Sequence, residues 1–415
     1  MDANTYIEQG ARFQCVPDCG FCCGFWDIHI DAKRKDALLE RAWVETMAQD
    51  LTKREGLPLF KIIGQTEQAV LQRQCGTCSF INERQLCSIH AAEGYDAKPV
   101  ACQQFPFIYY QTPRGLEVFL DHSCPEVIQN KGELVKGEEI QDRISSEHVL
   151  KITLPIPLTS SITLDWESYL ALEDVFLKIL EQPLSCEEKI LYLNQIVIEL
   201  SKQLGPNPDV REIRTALQKG ISVDFKLVLP NLGKESANSS KRNLYLAILI
   251  QLVESAYSGE VGPGRMGILG LLKRILRQWK RAGQNRFHVF DFEVFYPDIH
   301  RIGFQGEVES YKGILDRYLF HLVKRLVGTG NIPINKRVAI MATNFALVEW
   351  FSCAYAASRK RPIVTQEEIV FAIKVVEKFL SNRLFNKMSK EKNFLSNYIN
   401  FLYENPSLPT TMLSG

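Results

Sequence analysis

Apolar residues recur every three or four positions through most of residues 160–403, which is the period of helices with one buried face. Residues 244–257 and 338–357 are apolar almost all round, as buried helices are. Residues 287–304 interrupt the pattern and are predicted to be a loop. Two of the helical segments begin with a capping box. The boxes are Ser185 with Glu188 and Thr365 with Glu368.

The first part of the chain has a mixed pattern. Residues 36–64 carry a helical repeat, whereas residues 109–121 alternate as strands around a Thr-Pro-Arg-Gly turn, which predicts a hairpin. The Leu-Pro-Ile-Pro run at residues 154–157 excludes a helix interior and is interpreted as a linker. The expected fold class is mainly α. A small, irregular α+β cysteine-rich metal domain over residues 1–150 precedes an all-α helical domain over residues 160–403.

Composition and charge narrow the function only slightly. The chain has 415 residues and a net charge of +1, so no global field favours nucleic acid or an acidic membrane as a partner. Residues 1–14 show no apolar leader, and the longest apolar run, near residues 244–253, is about half the roughly 20 residues of a membrane helix. We therefore expect a cytoplasmic protein whose thiols stay reduced.

The cysteines are concentrated at one end of the chain. Nine of the eleven lie within the first 124 residues. Disulfide stapling or metal ligation explains such a concentration, and a reduced chain with a sizeable core favours metal. Cys75, Cys186 and Cys353 are expected to be dispensable, Cys353 as a small core residue. The predicted pool of metal ligands is Cys15, Cys19, Cys22, Cys23, Cys78, Cys87, Cys102 and Cys124.

The spacing by itself leaves the metal open. A structural zinc takes four ligands, so this pool suits two zinc ions, or one iron–sulfur cluster with spare thiols. Cys15, Cys19 and Cys22 resemble the three-cysteine signature of radical S-adenosylmethionine enzymes. The residues after Cys23 give helices without the alternating βαβ rhythm of that superfamily, which argues against a radical enzyme.

The cysteine motifs resemble those of a family of zinc- or iron-chelating cysteine-cluster domains. Two further segments, residues 24–31 and residues 122–127, resemble the longer branch of that family, the flagellin lysine N-methylases. The shared motifs are the Cys15–Cys23 group, Cys78-Ser-Phe-Ile81, Cys87-Ser-Ile-His90, Lys98-Pro-Val-Ala-Cys102 and Phe105-Pro-Phe107.

The resemblance implies a [4Fe–4S] cluster, with zinc as the alternative, and S-adenosylmethionine as a methyl donor. The implied activity is that of a protein-lysine N-methyltransferase, whose partner is a protein presenting a lysine. Asp27 and Asp31, beside the first cysteine group, are the candidates to orient the lysine amine. The competing hypothesis is a non-enzymatic zinc- or iron-binding module with a structural, redox-sensing or partner-binding role.

Three other signals have simpler interpretations. The glycine-rich residues 262–267 are interpreted as an interhelical loop, because no strand precedes them. The basic amphipathic residues 269–281 are interpreted as a solvated face rather than a site for an acidic partner or RNA. His90 and His122 lie near cysteines and are expected beside the ligands rather than among them.

Overall fold

The computed structural model describes most of the chain. The described residues are 5–8, 10–16, 19–24, 28–62, 69–74, 77–137, 140, 144, 149–205, 208–218, 236–261, 267–306, 308–327, 332–380 and 403–413. They form two compact units, residues 1–150 with 259–264 and residues 151–258 with 265–415. The first mixes short strands with short helices and the second is helical, so the predicted fold class is confirmed.

A hairpin forms the largest sheet element of the first unit. Strands β8 (Phe107–Thr112) and β9 (Gly115–Leu120) pair antiparallel, with Phe107 opposite Leu120. This confirms the hairpin predicted over residues 109–121. Strand β1 (Thr5–Ile7) runs parallel to β9. Tyr109, Val118 and Leu120 are buried and pack with Val127 into one apolar cluster.

A second apolar cluster lies under two helices. Helix α1 (Ala32–Leu39) and helix α2 (Ala42–Glu55) bury Leu38, Val44 and Leu51. Gly56 ends α2 in a left-handed conformation with φ of +67°. The helix predicted for residues 36–64 is therefore too long, because Gly56 and Pro58 stop it and strand β4 (Phe60–Ile62) follows.

The remaining elements of the first unit are short. Strand β5 (Ala69–Leu71) pairs antiparallel with β4 and with β3 (His29–Ile30). Two further antiparallel pairs form separate sheets. They are β2 (Arg12–Phe13) with β10 (Glu133–Leu134), and β6 (Arg73–Gln74) with β7 (Thr77–Cys78). The helices are a 3-10 turn at Phe21–Cys23, α3 (Ser88–Glu93), α4 (Val100–Gln104) and α5 (Pro125–Gln129).

Two helices of the second unit begin at the predicted capping boxes, Ser185 with Glu188 and Thr365 with Glu368. Asp165 caps its first helix, and Ser185 and Glu188 form the predicted capping box, with the Glu188 carboxylate accepting from Ser185 N at 2.8 Å. The helices are Trp166–Leu180, Cys186–Gln203, Val210–Gln218, Ser236–Val261, Ile268–Trp279, Tyr296–Ile299, Glu309–Lys324, Ile334–Ser358, Gln366–Val375 with a π-turn at Val376–Leu380, and Leu408–Leu413.

The helix Ile334–Ser358 forms the centre of the second unit and buries most of its side chains. By length and hydropathy this one described helix is apolar enough to cross a membrane. The protein buries 89% of its most apolar window, as expected of the core helix of a globular unit.

The loop predicted over residues 287–304 is wrong. Strands β14 (Gln284–Phe287) and β15 (Phe292–Phe295) form a hairpin there, and the short helix Tyr296–Ile299 follows. Phe287 and Phe292 are buried against the aromatic side chains of the central helix. The alternation of apolar and polar residues is too brief for a sequence pattern to distinguish from a loop.

Two short strands precede the first helix of this unit. Strand β12 (Ile156–Pro157) lies in the proline-rich segment predicted to be a linker, and it pairs with β13 (Thr163–Leu164). Strand β11 spans Val149–Lys151.

Candidate metal centre

One cavity in the first unit brings together all eight cysteines predicted to be metal ligands. Its volume is about 290 Å³, and we call it the thiol cavity. The cysteines that line it come from sequence positions up to about 110 residues apart. They are Cys15, Cys19, Cys22, Cys23, Cys78, Cys87, Cys102 and Cys124. The cysteine groups therefore meet in one cavity, and their role as ligands stays a prediction.

The first cysteine group depends on a tight backbone turn. Cys22 and Cys23 lie on the 3-10 turn that follows Gly20, and their Sγ atoms are 3.9 Å apart. Gly20 has a φ of +55°, and a Cβ there would lie 2.7 Å from Oε1 of Gln85. The positive φ favours glycine here, and the backbone carbonyl oxygen of Gln85, 3.1 Å from the same Cβ position, adds crowding.

Short elements present the other thiols. Cys78 lies on β7, Cys102 lies within α4, and Cys87 and Cys124 are the residues that precede α3 and α5. A bridge between Ile81 and Cys87 holds the Cys78 and Cys87 segments together. The cysteine side chains are thus fixed by several different elements rather than by one metal-binding loop.

The thiols divide into two groups by their packing and mutual charge. We call Cys22, Cys23, Cys78, Cys87 and Cys102 the inner thiols. Four of them, all but Cys22, belong to or pack against the apolar cluster under α1 and α2. The outer thiols are Cys15, Cys19 and Cys124. Cys15 and Cys19 are exposed, whereas Cys124 is buried in the cluster beside the hairpin.

Burial and neighbouring thiols raise the pKa values of three inner thiols, Cys23, Cys78 and Cys102. The hydrogen bond with Cys22, followed by burial and the charges of nearby thiols, raises the pKa of Cys23 strongly. Burial is the main cause for Cys78, whose pKa rises to about 12. Burial also raises the pKa of Cys102, and Lys98 partly opposes that rise.

Two of the outer thiols, Cys15 and Cys124, also have raised pKa values. Burial raises the pKa of Cys124 to about 12, and the charges of Cys19 and Cys15 add to the rise. Burial and then the charges of Cys22 and Cys19 raise the pKa of Cys15. Cys22 is thus an inner thiol whose charge acts on an outer one, Cys15.

This donor set suits a thiophilic metal. Thiols with raised pKa values are neutral at pH 7, so a bound cation must displace their protons and compensate the mutual repulsion of the thiolates. Thiolate donors select zinc, copper(I) and iron–sulfur clusters over hard cations. Among the described His, Cys, Asp and Glu side chains, however, no group of three or more is placed to hold one metal ion. The thiols surround a volume rather than close on a point.

Several other side chains of the cavity wall have chemical significance. Lys98 and Glu126 supply opposite charges, and His90 also lines the cavity. Tyr95 is held by a hydrogen bond from its hydroxyl to the carbonyl oxygen of Gln103. No role for Lys98, Tyr95 or Glu126 was predicted from the sequence. The only signal for Lys98 and Glu126 is their presence inside cysteine motifs.

Of the two carboxylates predicted to orient a lysine, the structure describes only one. Asp27 lies outside the described residues. Asp31 caps α1, accepting from Arg34 N at 2.9 Å and from the Arg34 guanidinium at 2.7 Å. Partial burial raises the pKa of Asp31, but these hydrogen bonds outweigh it and lower the pKa overall. Asp31 is not among the residues that line the thiol cavity.

The remaining cysteines and His122 lie in other surroundings. Cys186 and Cys353 are buried in the second unit, where Cys353 Sγ is 3.6 Å from the carbonyl oxygen of Ile302. Cys75 lies outside the described residues. His122 is buried and does not line the cavity, and its Nδ1 is 3.2 Å from the carbonyl oxygen of Leu120.

Comparison with protein families gives a match to part of the chain. A family model described as "Putative zinc- or iron-chelating domain" matches residues 14–129. That range contains all eight cysteines that line the cavity, and the family model supports a metal-binding cysteine cluster there. Comparisons with curated proteins and with solved structures gave no significant match.

Proposed function

We propose that the first unit binds a [4Fe–4S] cluster in the thiol cavity. The supporting observation is that eight cysteines surround about 290 Å³ while no described group of three is placed to hold a single ion. A closed zinc site brings four ligands to within about 2.3 Å of one point. An iron–sulfur core contains several metal atoms and can bridge thiolates that lie farther apart.

The inner thiols are the proposed cluster ligands. Four of the five pack against the apolar cluster under α1 and α2, which limits access of water and oxidants. Limited solvent access and a low local dielectric stabilise a thiolate-bound cluster and tune its potential. Cys22, which interacts with both groups, is the fifth inner thiol. The exposed Cys15 and Cys19 lie at the solvent side.

Metal analysis tests the proposal directly. Protein purified without oxygen is expected to be brown, to absorb broadly near 400 nm, and to contain roughly four iron and four sulfide per chain. Colourless protein with stoichiometric zinc would exclude the cluster and retain metal chelation. Stable protein without metal would exclude both.

A second candidate function is methyl transfer from S-adenosylmethionine to a protein lysine. It rests on the resemblance of residues 24–31 and 122–127 to flagellin lysine N-methylases. The aromatic residues Phe21, Tyr95 and Phe105 line the cavity together with Glu126. Aromatic faces and a carboxylate attract cations such as a sulfonium or an ammonium group.

Methyl transfer to lysine forms one bond, breaks one bond and releases one proton. The neutral lysine amine forms a bond to the methyl carbon, the methyl–sulfur bond breaks, and one proton leaves the nitrogen. Asp27 and Asp31 are the sequence candidates to orient the amine. The hydrogen bonds with Arg34 lower the pKa of Asp31 and occupy its carboxylate, and Asp31 does not line the thiol cavity. Glu126 is the carboxylate of the cavity wall that we propose orients the amine.

Labelled S-adenosylmethionine separates the enzyme from the non-enzymatic module. Incorporation of label into lysines of an added lysate is expected for the methyltransferase, and Glu126→Gln should reduce it. Metal-loaded protein that transfers no label would leave a module with a structural, redox-sensing or partner-binding role. Cytoplasmic location is part of both proposals.

A further inference from the structure

The helix Ile268–Trp279 exposes an apolar row to solvent. Leu269 is 83% exposed, Leu272 is 49% exposed and Leu276 is 48% exposed. Spacings of three and four residues place all three on one side of the helix, and we call them the leucine row. The expected solvated face is therefore only partly polar, because three leucine side chains contact water.

The other side of this helix is fixed in the second unit. Ile275 and Gln278 are buried, and Gln278 Oε1 accepts a hydrogen bond from Gln251 Nε2 at 2.8 Å. Trp279 Nε1 donates to the carbonyl oxygen of Ser240 at 3.1 Å. The helix cannot rotate its leucines inward without breaking these contacts, so their exposure follows from how the helix is anchored.

Cations run beside the leucine row. Lys273, Arg277 and Lys280 are exposed and share a neighbouring stripe of the helix, which we call the cation row. None of the three forms an ion pair with a carboxylate in the described part of the chain. Residues 267–290 contain six Lys and Arg residues and no Asp or Glu, although the whole chain has a net charge of only +1. The positive charge is local, so the global count conceals it.

The size of this surface helps to identify its partner. A helix of 12 residues is about 18 Å long. One convex face of that length offers much less than the roughly 800 Å² per partner of a stable protein interface. A lipid surface requires no shape complementarity, because leucines enter the acyl boundary while lysine and arginine reach the phosphates.

We propose that the helix Ile268–Trp279 is a peripheral docking site for an anionic phospholipid surface. The leucine row inserts at the level of the headgroups, and the cation row pairs with lipid phosphates. The buried side, with Ile275 and Gln278, holds the helix parallel to the surface of its own unit. This interaction is peripheral and involves no membrane-spanning segment.

Vesicle co-sedimentation with the full chain tests the proposal. Vesicles of phosphatidylglycerol and phosphatidylcholine are expected to bind the protein, pure phosphatidylcholine to bind it at least about tenfold more weakly, and salt to weaken binding. Two variants separate the rows. They are Leu269→Gln/Leu272→Gln/Leu276→Gln and Lys273→Glu/Arg277→Glu/Lys280→Glu.

Each triple variant is expected to reduce vesicle affinity at least about tenfold. Matched controls are Ile363→Gln, which removes an isolated exposed leucine-sized side chain, and Lys33→Glu/Lys131→Glu/Arg211→Glu, which reverses three exposed charges elsewhere. Both controls should bind like the wild type, and circular dichroism should show all four variants folded. The proposal is overturned if the wild-type protein does not bind anionic vesicles, whether or not it binds an acidic protein. Folded row variants that bind normally overturn it as well.

Discussion

The two units reach a compact structure by different means. The second unit surrounds one almost completely buried helix, Ile334–Ser358, with apolar side chains of its neighbours. The first unit has two smaller apolar clusters, short strands, and a cavity lined by eight cysteines. A continuous apolar core stabilises a fold without a ligand, whereas a small core with gathered thiols commonly depends on metal. The comparison therefore predicts that the two units differ in what stabilises them.

The largest difference should appear when metal is removed. Anaerobic chelation is expected to cost the first unit on the order of 10 kcal/mol, because ligand binding and folding are coupled there. Hydrogen exchange should accelerate across residues 77–129 and stay unchanged across residues 334–358. Equal acceleration in both segments would contradict the comparison, and unchanged exchange in both would contradict a structural role for the metal.

Single cysteine substitutions should distinguish a metal ligand in the first unit from a buried core thiol in the second. Cys102→Ser is expected to lower metal content to less than about half, because an inner thiol is lost and serine is a poor ligand for thiophilic metals. Cys353→Ser is the matched control, since Cys353 is buried in the second unit and contacts a backbone carbonyl oxygen. Metal analysis per folded chain measures both. Equal metal content in the two variants would contradict the assignment.

Truncation of a large core side chain in the second unit should lower stability without lowering metal content, the opposite of a cysteine substitution in the first. Phe351 is fully buried, and its ring centroid lies 4.8 Å from that of Phe290. Phe351→Ala is expected to cost about 3–5 kcal/mol of unfolding free energy through the cavity that it leaves. Metal content per folded chain should not change. A loss of metal in this variant would show that the two units are not independent in stability.

A buried carboxylate tests the hairpin that the sequence did not predict. Glu254 is fully buried and accepts hydrogen bonds from His288 N at 2.7 Å and from Val289 N at 3.2 Å. Glu254→Ala should cost about 1–3 kcal/mol, because two backbone donors of the hairpin lose their acceptor. Denaturant unfolding measures the cost. A change below about 0.5 kcal/mol would mean that water replaces the carboxylate.

The smallest effect concerns a helix cap and its dependence on pH. Asp165 accepts from Ser168 N at 2.8 Å, and its hydrogen bonds with Ser168 lower its pKa below the ordinary value of 3.8. Its contribution is therefore present above pH 3.8 and is lost as pH falls through the lowered pKa. Asp165→Ala should cost about 0.5–2 kcal/mol near neutral pH, and Asp165→Asn less. Equal losses at pH 7 and at pH 2 would contradict the charge dependence.

Local signals in the sequence determined elements of both units. The capping box of Ser185 and Glu188 involves residues three positions apart, and the hairpin turn before Gly115 is equally local. Such interactions depend on neighbours in the chain, so a pattern is enough to place them. The hairpin at Gln284–Phe295 was missed because its strands are short and their burial depends on the distant aromatic residues Trp350 and Phe351.

At the candidate site, too, the sequence determined some features and the tertiary structure decided others. The sequence alone identified the pool of eight cysteines, because reduced thiols at that density have few other uses. Only the tertiary structure decided that Cys22, Cys87 and Cys102 face one cavity, that Cys15 and Cys19 lie at its exposed side, and that Asp31 caps a helix away from it. It also decided that the leucine row remains exposed. Burial and the meeting of distant side chains depend on contacts between residues far apart in the chain, which a local pattern does not specify.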